Sequence, residues 1–167
     1  MGLRTWLRDQ PAFLEWVYQI SYATFKWIQP LISRIGYPRV NRWLAPLEHA
    51  SKDALFGCKM CGQCILHSTG MVCPMTCPKN LRNGACGGVR SNGNCEVIPE
   101  MRCIWVVAYE RAKDLRVFGP EIIDIKPPVN HQLQGTSAWI NMLTGEDKAN
   151  PRGWAELPPN PVIEKKL

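Results

Sequence analysis

The feature that most constrains this chain is the confinement of all eight cysteines to the stretch between Cys58 and Cys103. Cys61 and Cys64 follow Cys58 as two C-x2-C steps in series. The stretch is rich in glycine and proline and poor in large aliphatic residues, so it can build little hydrophobic core and needs covalent or metal cross-links. The later cysteines are more widely spaced: Cys73, Cys77, Cys86, Cys95 and Cys103.

Whether such a cysteine cluster forms disulfides or binds metal depends on the redox state of the cell compartment. No secretory signal with an uninterrupted apolar core is recognisable at the beginning of the sequence, and we expect a cytoplasmic protein. Residues 12–32 are apolar, but Glu15, Lys26 and other polar residues interrupt them too often for a spanning helix, so we expect no transmembrane segment. Thiols stay reduced in the cytoplasm, and a dense cluster there predicts metal ligation, with disulfides as a minor alternative.

Two metal chemistries compete for these thiols. A C-x2-C-x2-C loop can supply three thiolates to a cubane, and a cysteine followed by proline, as at Cys73 and Cys77, commonly completes the set. C-x2-C is equally a half-site for tetrahedral zinc, but zinc ribbons pair it with a second C-x2-C elsewhere in the chain, and this sequence has no C-x2-C separate from the run at Cys58–Cys64. The spacing favours iron–sulfur clusters and leaves open zinc, or one cluster with one zinc. His67 could replace a ligand, but we interpret it as a surface histidine.

The flanking regions predict helices before the cysteines and a proline-rich arm after them. Amphipathic spacing predicts a helix over 11–35, kinked or split at Pro30, and a second helix over 39–55, interrupted at Pro46. A third helix is predicted over 100–117, and a short helix or turn around 136–144. The apolar face of the first helix is predicted to comprise Phe13, Val17, Ile20, Thr24, Trp27, Leu31 and Ile35.

The predicted fold class is a small, irregular, metal-stapled α domain. Its three parts are an N-terminal helical docking segment (1–56), a loop-rich eight-cysteine metal module with its following helix (57–118), and an extended Pro-rich C-terminal arm (119–167). Four of the seven tryptophans lie in the first 45 residues. Core packing explains them almost as well as a docking surface, but their density favours docking slightly.

Charge and motifs exclude several functions. The net charge is +6, but the basic residues are scattered, with no run longer than Lys165-Lys166, so we expect no nucleic-acid binding. The sequence contains no Rossmann fingerprint, no P-loop and no recognisable nucleophile–base arrangement. We therefore assign no catalytic residue, and we expect a non-catalytic subunit rather than a stand-alone enzyme.

The order of the cysteine motifs resembles one protein family. The motifs are Cys61-Gly-Gln-Cys64, Cys73-Pro-Met-Thr-Cys77-Pro-Lys, Leu81-Arg-Asn-Gly-Ala-Cys86-Gly-Gly, Cys95-Glu-Val and Cys103-Ile-Trp105. Over about residues 57–118 they look like the cysteine-rich C-terminal domain of methylenetetrahydrofolate reductases, which also occurs as a small separate subunit. The family usually has proline where this chain has Ala85. The resemblance implies metal or iron–sulfur ligation by all eight cysteines and association with a flavin-binding TIM-barrel catalytic subunit.

We therefore expect an electron-transfer accessory subunit of a methylenetetrahydrofolate reductase, with two 4Fe-4S clusters and with the flavin on the partner only. The chain has 167 residues, whereas a barrel needs roughly 200 or more, so a hetero-oligomer is expected. The alternative is a zinc-binding structural subunit, or an adaptor of a one-carbon enzyme complex, without a redox role. The ligand sets are predicted to be Cys58, Cys61, Cys64 and Cys73 for one site, and Cys77, Cys86, Cys95 and Cys103 for the other.

Overall fold

The computed structural model describes residues 10–151 and 153; predictions that fall on 1–9, 152 and 154–167, including Trp6, lie outside the described residues. This part of the chain is mostly helical and contains no β-strand, apart from one isolated antiparallel bridge between Asn94 and Arg102. The predicted small, irregular α fold is confirmed at this level. The four α-helices of the described residues are α1 (Pro11–Ile35), α2 (Tyr37–Phe56), α3 (Ile104–Ala112) and α4 (Ala138–Thr144).

The first two helices are longer and more continuous than predicted. Pro30 lies inside α1 and Pro46 inside α2, and neither ends its helix. Both prolines are exposed, so the carbonyl that each leaves without an N–H partner can be hydrated, which limits the disruption. The helices are separated only by Gly36, whose φ of 98° lies in the region that favours glycine. The predicted break after residue 35 is thus confirmed.

α3 is shorter than the predicted helix over 100–117. Residues just before it are held in a loop, because the Cys95 N–H donates to the Met101 carbonyl at 2.9 Å and the Cys103 N–H to the Gly93 carbonyl at 3.0 Å. Beyond Ala112, the backbone is bound by a side chain of α1. Loop hydrogen bonds before the helix and a long-range contact after it therefore override the helical spacing at its two ends.

That side chain belongs to Glu15, which sequence analysis treated only as an interruption of an apolar stretch. Glu15 is buried, and its carboxylate accepts hydrogen bonds from the N–H groups of Arg116, Val117 and Phe118, each at 2.9 Å. Burial raises the pKa of Glu15, but these three hydrogen bonds outweigh it and hold the pKa below its ordinary value. The carboxylate thus fastens α1 to the chain that follows α3.

Within the described residues, the hydrophobic core is divided into three small clusters rather than one. The first joins α1 to the cysteine-rich segment through Leu14, Leu66 and Met71. The second packs α1 against α4 around Ile32 and Ile140. The third surrounds α3 and consists of Cys103, Trp105 and Ala108. None of the described helices has the length and hydropathy that a membrane span requires.

Candidate metal centres

The eight cysteines, all within the described residues, are free thiols. They fall into two groups, each around its own small cavity. The first cavity, of about 30 Å³, is lined by Cys58, Cys61, Cys64 and Cys73. The second, of about 20 Å³, is lined by Cys77, Cys86, Cys95 and Cys103. The two groups coincide with the two predicted ligand sets. Ligation itself stays a prediction, since among the described residues no group of three or more Cys, His, Asp or Glu is arranged to hold a metal ion.

The loop around the first cavity depends on two residues with left-handed backbone. Met60 has φ of 47° and Gly62 has φ of 74°. A Cβ added to Gly62 would lie only 2.3 Å from the Leu133 carbonyl oxygen, so both its backbone angle and its surroundings require glycine. These turns bring Cys58, Cys61 and Cys64 to one side of the loop, where the Met60 N–H donates to the Cys58 sulfur at 3.4 Å.

Residues from the C-terminal part of the chain hold this loop in place. The Gln134 side chain donates to the Lys59 carbonyl at 2.6 Å, and the Gly135 N–H donates to the Met60 carbonyl at 2.8 Å. The Asn141 amide, on α4, donates to the Gly62 carbonyl at 2.8 Å. The predicted short helix around 136–144 is confirmed, but sequence analysis did not anticipate that this region packs against the cysteines.

Gln63 is the central polar residue of the first site. It is only 1% exposed. Its side-chain oxygen accepts from the Asn130 N–H at 2.7 Å, and its Nε2 donates to the Asp147 carbonyl at 3.1 Å. Its backbone carbonyl accepts from Arg82 Nη1 at 3.0 Å. The only sequence signal for this role is the position of Gln63 between two predicted ligands.

Three cations line the first cavity: Lys52 and Arg82, which are partly or fully buried, and Lys59, which is exposed. Arg82 is 7% exposed, and its Nε donates to the Pro127 carbonyl at 2.8 Å. Burial lowers the pKa of Arg82, partly offset by Cys61 and Cys64. Burial also lowers the pKa of Lys52, but Cys64 and the Glu48 carboxylate, 2.5 Å from its Nζ, raise it above its ordinary value. Positive charge is therefore concentrated where an anionic thiolate centre would lie.

Three of the four thiols of the first site lie in surroundings that disfavour the thiolate. Burial raises the pKa of Cys58 and Cys61, and it raises the pKa of Cys73 to about 12. A desolvated thiolate is unfavourable by itself, and metal ligation compensates for the desolvation. The donor set is therefore chemically suited to a thiophilic metal or cluster.

An exposed ion pair borders the second site. Lys79 and Glu96 form an ion pair with side chains 41% and 37% exposed, and the Cys86 sulfur lies 3.6 Å from the Glu96 carboxylate. A Cβ at Gly88 would lie 1.8 Å from that carboxylate, so Gly88 leaves the space that Glu96 occupies. Of the four thiols, only Cys103 is buried.

His67 lies elsewhere than predicted. It is not a surface histidine, because its side chain is 20% exposed and its ring stacks on Tyr18 at 4.9 Å between centroids. It also lines neither cysteine cavity. Burial lowers the pKa of His67 to about 4. Spacing gave no hint of this position, since the aromatic partners come from α1 and from residues beyond α3.

The predicted apolar face of α1 is exposed rather than buried. Trp27 is 82% exposed, and Trp43 on α2 is 81% exposed. The core uses the adjacent face of α1, with Leu14 and Ile32. Core packing therefore does not explain these two tryptophans, and the docking interpretation stays open for them.

Comparison with known proteins shows the family to which this chain belongs. Residues 37–132 match the family described as methylene-tetrahydrofolate reductase C terminal. The chain belongs to this family. The matched region covers more than half of the chain, includes both cysteine groups, α2 and α3, and confirms the resemblance inferred from the motifs. No curated protein and no solved structure matches the chain.

Proposed function

We propose that this chain is an iron–sulfur accessory subunit of a methylenetetrahydrofolate reductase and supplies electrons to the flavin of a separate TIM-barrel subunit. The observation that carries the proposal is the division of eight free thiols into two cavities of four, in a chain of this family. Four thiolates are the ligand set of a 4Fe-4S cluster, which, when bound, provides one-electron redox chemistry.

The residues of the first site would tune such a centre. Lys52 and Arg82 place positive charge beside the thiolates, which stabilises an anionic centre and favours its reduced form. Apolar side chains of Ile65, Leu66 and Met75 line the same cavity and are buried. They exclude water, which lowers the local dielectric and strengthens the effect of both cations.

The partner would dock on the exposed aromatic face of α1 and α2. Trp27 and Trp43 are large, exposed and carried by rigid helices, and tryptophans of this kind are typical binding hot spots. The Trp27→Ser/Trp43→Ser variant is expected to weaken binding to the catalytic subunit at least tenfold, measured by surface plasmon resonance. Ile125→Ser, at a residue 88% exposed, is the matched control, and equal losses in both variants would contradict this docking face.

The second candidate function is structural. Four thiolates are also a complete ligand set for tetrahedral zinc, and the grouping of the cysteines into fours suits zinc as well as iron. One cluster with one zinc would use the same two groups of four thiols. In the zinc case the chain would shape or hold the reductase complex without transferring electrons.

A visible spectrum of anaerobically purified protein, with iron, sulfide and zinc measured on the same sample, separates the two functions. The expected result is brown protein with about eight irons per chain and an absorption band that bleaches with dithionite. Colourless protein with one or two zinc ions per chain would overturn the electron-transfer role and support the structural one.

A further inference from the structure

Residues 130–147, which include α4, are joined to the first cysteine loop, residues 57–65, by five hydrogen bonds. Gln63 makes two of them, with Asn130 and Asp147 at the two ends of the segment. The docking of residues 130–147 therefore depends on the conformation of the loop. The other three bonds are accepted by backbone carbonyls of the loop, those of Lys59, Met60 and Gly62.

The loop has little structure of its own to maintain that conformation. It contains no helix or strand, and Met60 has a φ of 47°, which is unfavourable for a residue other than glycine. Three of the cysteines that line the first cavity lie in this loop, so a metal or cluster bound there would cross-link it. Metal ligation and the docking of residues 130–147 would favour the same loop conformation, and each would therefore stabilise the other.

α4 connects this loop to α1 and α2, which are separated by Gly36 alone. Gln29 on α1 donates to the Leu143 carbonyl at 3.2 Å, and Asn41 on α2 accepts from the Ser137 N–H at 2.7 Å. The apolar side of α4 lies in the second core cluster, which also contains residues of α1 and α2. Displacing α4 would therefore remove contacts that stabilise the angle between the two helices.

The angle between α1 and α2 sets the separation of the two exposed tryptophans of the proposed docking face. Trp27 is on α1 and Trp43 is on α2, and they are 82% and 81% exposed. A partner surface that accepts both side chains must match their relative position, because the core of an interface is closely packed. The docking face is therefore complete only while α4 is in place.

We propose that occupancy of the first cysteine site controls the docking of residues 130–147 and, through α4, the arrangement of Trp27 and Trp43. The catalytic subunit would then bind the chain tightly only when the first site is filled. The effect on the partner rests on the proposed function, whereas the coupling between the site and the segment applies to zinc as well as to an iron–sulfur cluster. None of the residues that line the second cavity comes from 130–147, so the second site provides the control.

Hydrogen exchange of the full chain, purified anaerobically with its metals and read by mass spectrometry, tests the coupling. Cys61→Ser/Cys64→Ser should speed amide exchange in residues 130–147 about tenfold or more, because the loop loses its cross-link. Cys86→Ser/Cys95→Ser removes two thiols from the second site and should change exchange in this segment less than about twofold. Equal exchange in the two variants, whether slow or fast, would overturn the proposal.

Gln63→Met tests the same coupling in the opposite direction with all eight cysteines kept. It removes both hydrogen bonds of the Gln63 side chain and should speed the release of metal from the first site to a chelator about threefold or more, because the coupling is reciprocal. Gln132→Met makes the same change at an exposed residue of the segment and should leave release unchanged. If the first cysteine pair unfolds the whole chain, this comparison decides, and equal release in both variants would overturn the proposal.

Surface plasmon resonance with the catalytic subunit tests the consequence for assembly. Cys61→Ser/Cys64→Ser should weaken binding about tenfold or more, and Cys86→Ser/Cys95→Ser less than about twofold. Equal affinities would overturn the control of the docking face. Iron and zinc content keep this inference apart from the proposed function: the expected exchange in colourless, zinc-containing protein contradicts electron transfer alone, whereas brown protein whose cysteine variants exchange alike contradicts the coupling alone.

Discussion

The two candidate metal centres are assembled in different ways. The first draws on distant parts of the chain: Gln63 binds the backbone of Asn130, and Asn141 binds Gly62, across 67 and 79 residues. The second is built from neighbours, with Lys79 paired to Glu96 across 17 residues. The first site therefore depends on the packing of the whole fold, whereas the second depends mainly on its own loops.

The largest effect is expected from adding one methyl group at Gly62, which should damage the first site and spare the second. Gly62→Ala places a Cβ 2.3 Å from the Leu133 carbonyl oxygen at a φ of 74°. We expect destabilisation of about 3 kcal/mol or more and loss of metal from the first site only, so that metal per chain falls by about half. Metal analysis and thermal unfolding measure both effects.

The control for this prediction is Gly93→Ala. Gly93 has a φ of 81° but no atom within 4 Å of an added Cβ. This variant isolates the backbone strain, which should amount to about 1 kcal/mol, and should leave both sites loaded. If the two variants lose equal stability and equal metal, close packing of the first loop against Leu133 is not what maintains the first site.

A smaller effect is expected at the contact between α1 and residues 116–118. Glu15→Gln keeps one carbonyl oxygen but replaces the oxygen that accepts from the Arg116 N–H with an amide donor. We expect a loss of about 2 kcal/mol in the free energy of unfolding at pH 7. Urea unfolding measures it, with Glu146→Gln, at an exposed position of the same residue type, as the control.

The pH dependence provides a second test of Glu15. Its pKa in the folded protein lies below the ordinary value of 4.5, so its stabilising contribution is complete above pH 4.5 and is lost as the pH falls through the folded-state pKa. Glu15→Gln should therefore remove part of the acid sensitivity. An unchanged slope of stability between pH 5 and 3 would show that this carboxylate does not stabilise the fold.

The smallest effect is expected on the reduction potentials, when the cation beside each site is replaced. Arg82 is buried beside the first site, whereas the side chain of Lys79 beside the second is 41% exposed. If clusters are bound, Arg82→Gln should lower one reduction potential by about 60 mV, a tenfold change in a one-electron equilibrium. Lys79→Gln should shift the other much less, because solvent screens its charge. Redox titration followed by electron paramagnetic resonance resolves the two potentials.

Arg82→Lys is the conservative control, because it keeps the charge but not the two hydrogen bonds to Gln63 and Pro127. The reduction potential of Arg82→Lys should differ less from that of the unmodified protein than the potential of Arg82→Gln does. Equal shifts in both Arg82 variants would assign the effect to lost loop structure, and equal shifts at Arg82 and Lys79 would remove the electrostatic distinction between the sites.

The sequence by itself determined the family and the presence of the four described helices, although not all their bounds, and it predicted two sets of four cysteines. The motifs between Cys61 and Trp105 are long and specific, and the helix before Gly36 follows from apolar spacing and a stop signal. The four-and-four grouping follows chain order because each set comes from a short stretch, and short loops bring nearby residues together at little entropic cost.

Only the tertiary structure decided which surfaces are buried and which polar residues matter. Spacing identified an apolar face on α1 but could not show that it is exposed, because α1 carries apolar residues on more than one side. Glu15, Gln63, Arg82 and His67 are single polar residues whose partners lie far away in the chain. Such contacts have no period and no local motif, so they appear only when distant parts of the chain are packed together.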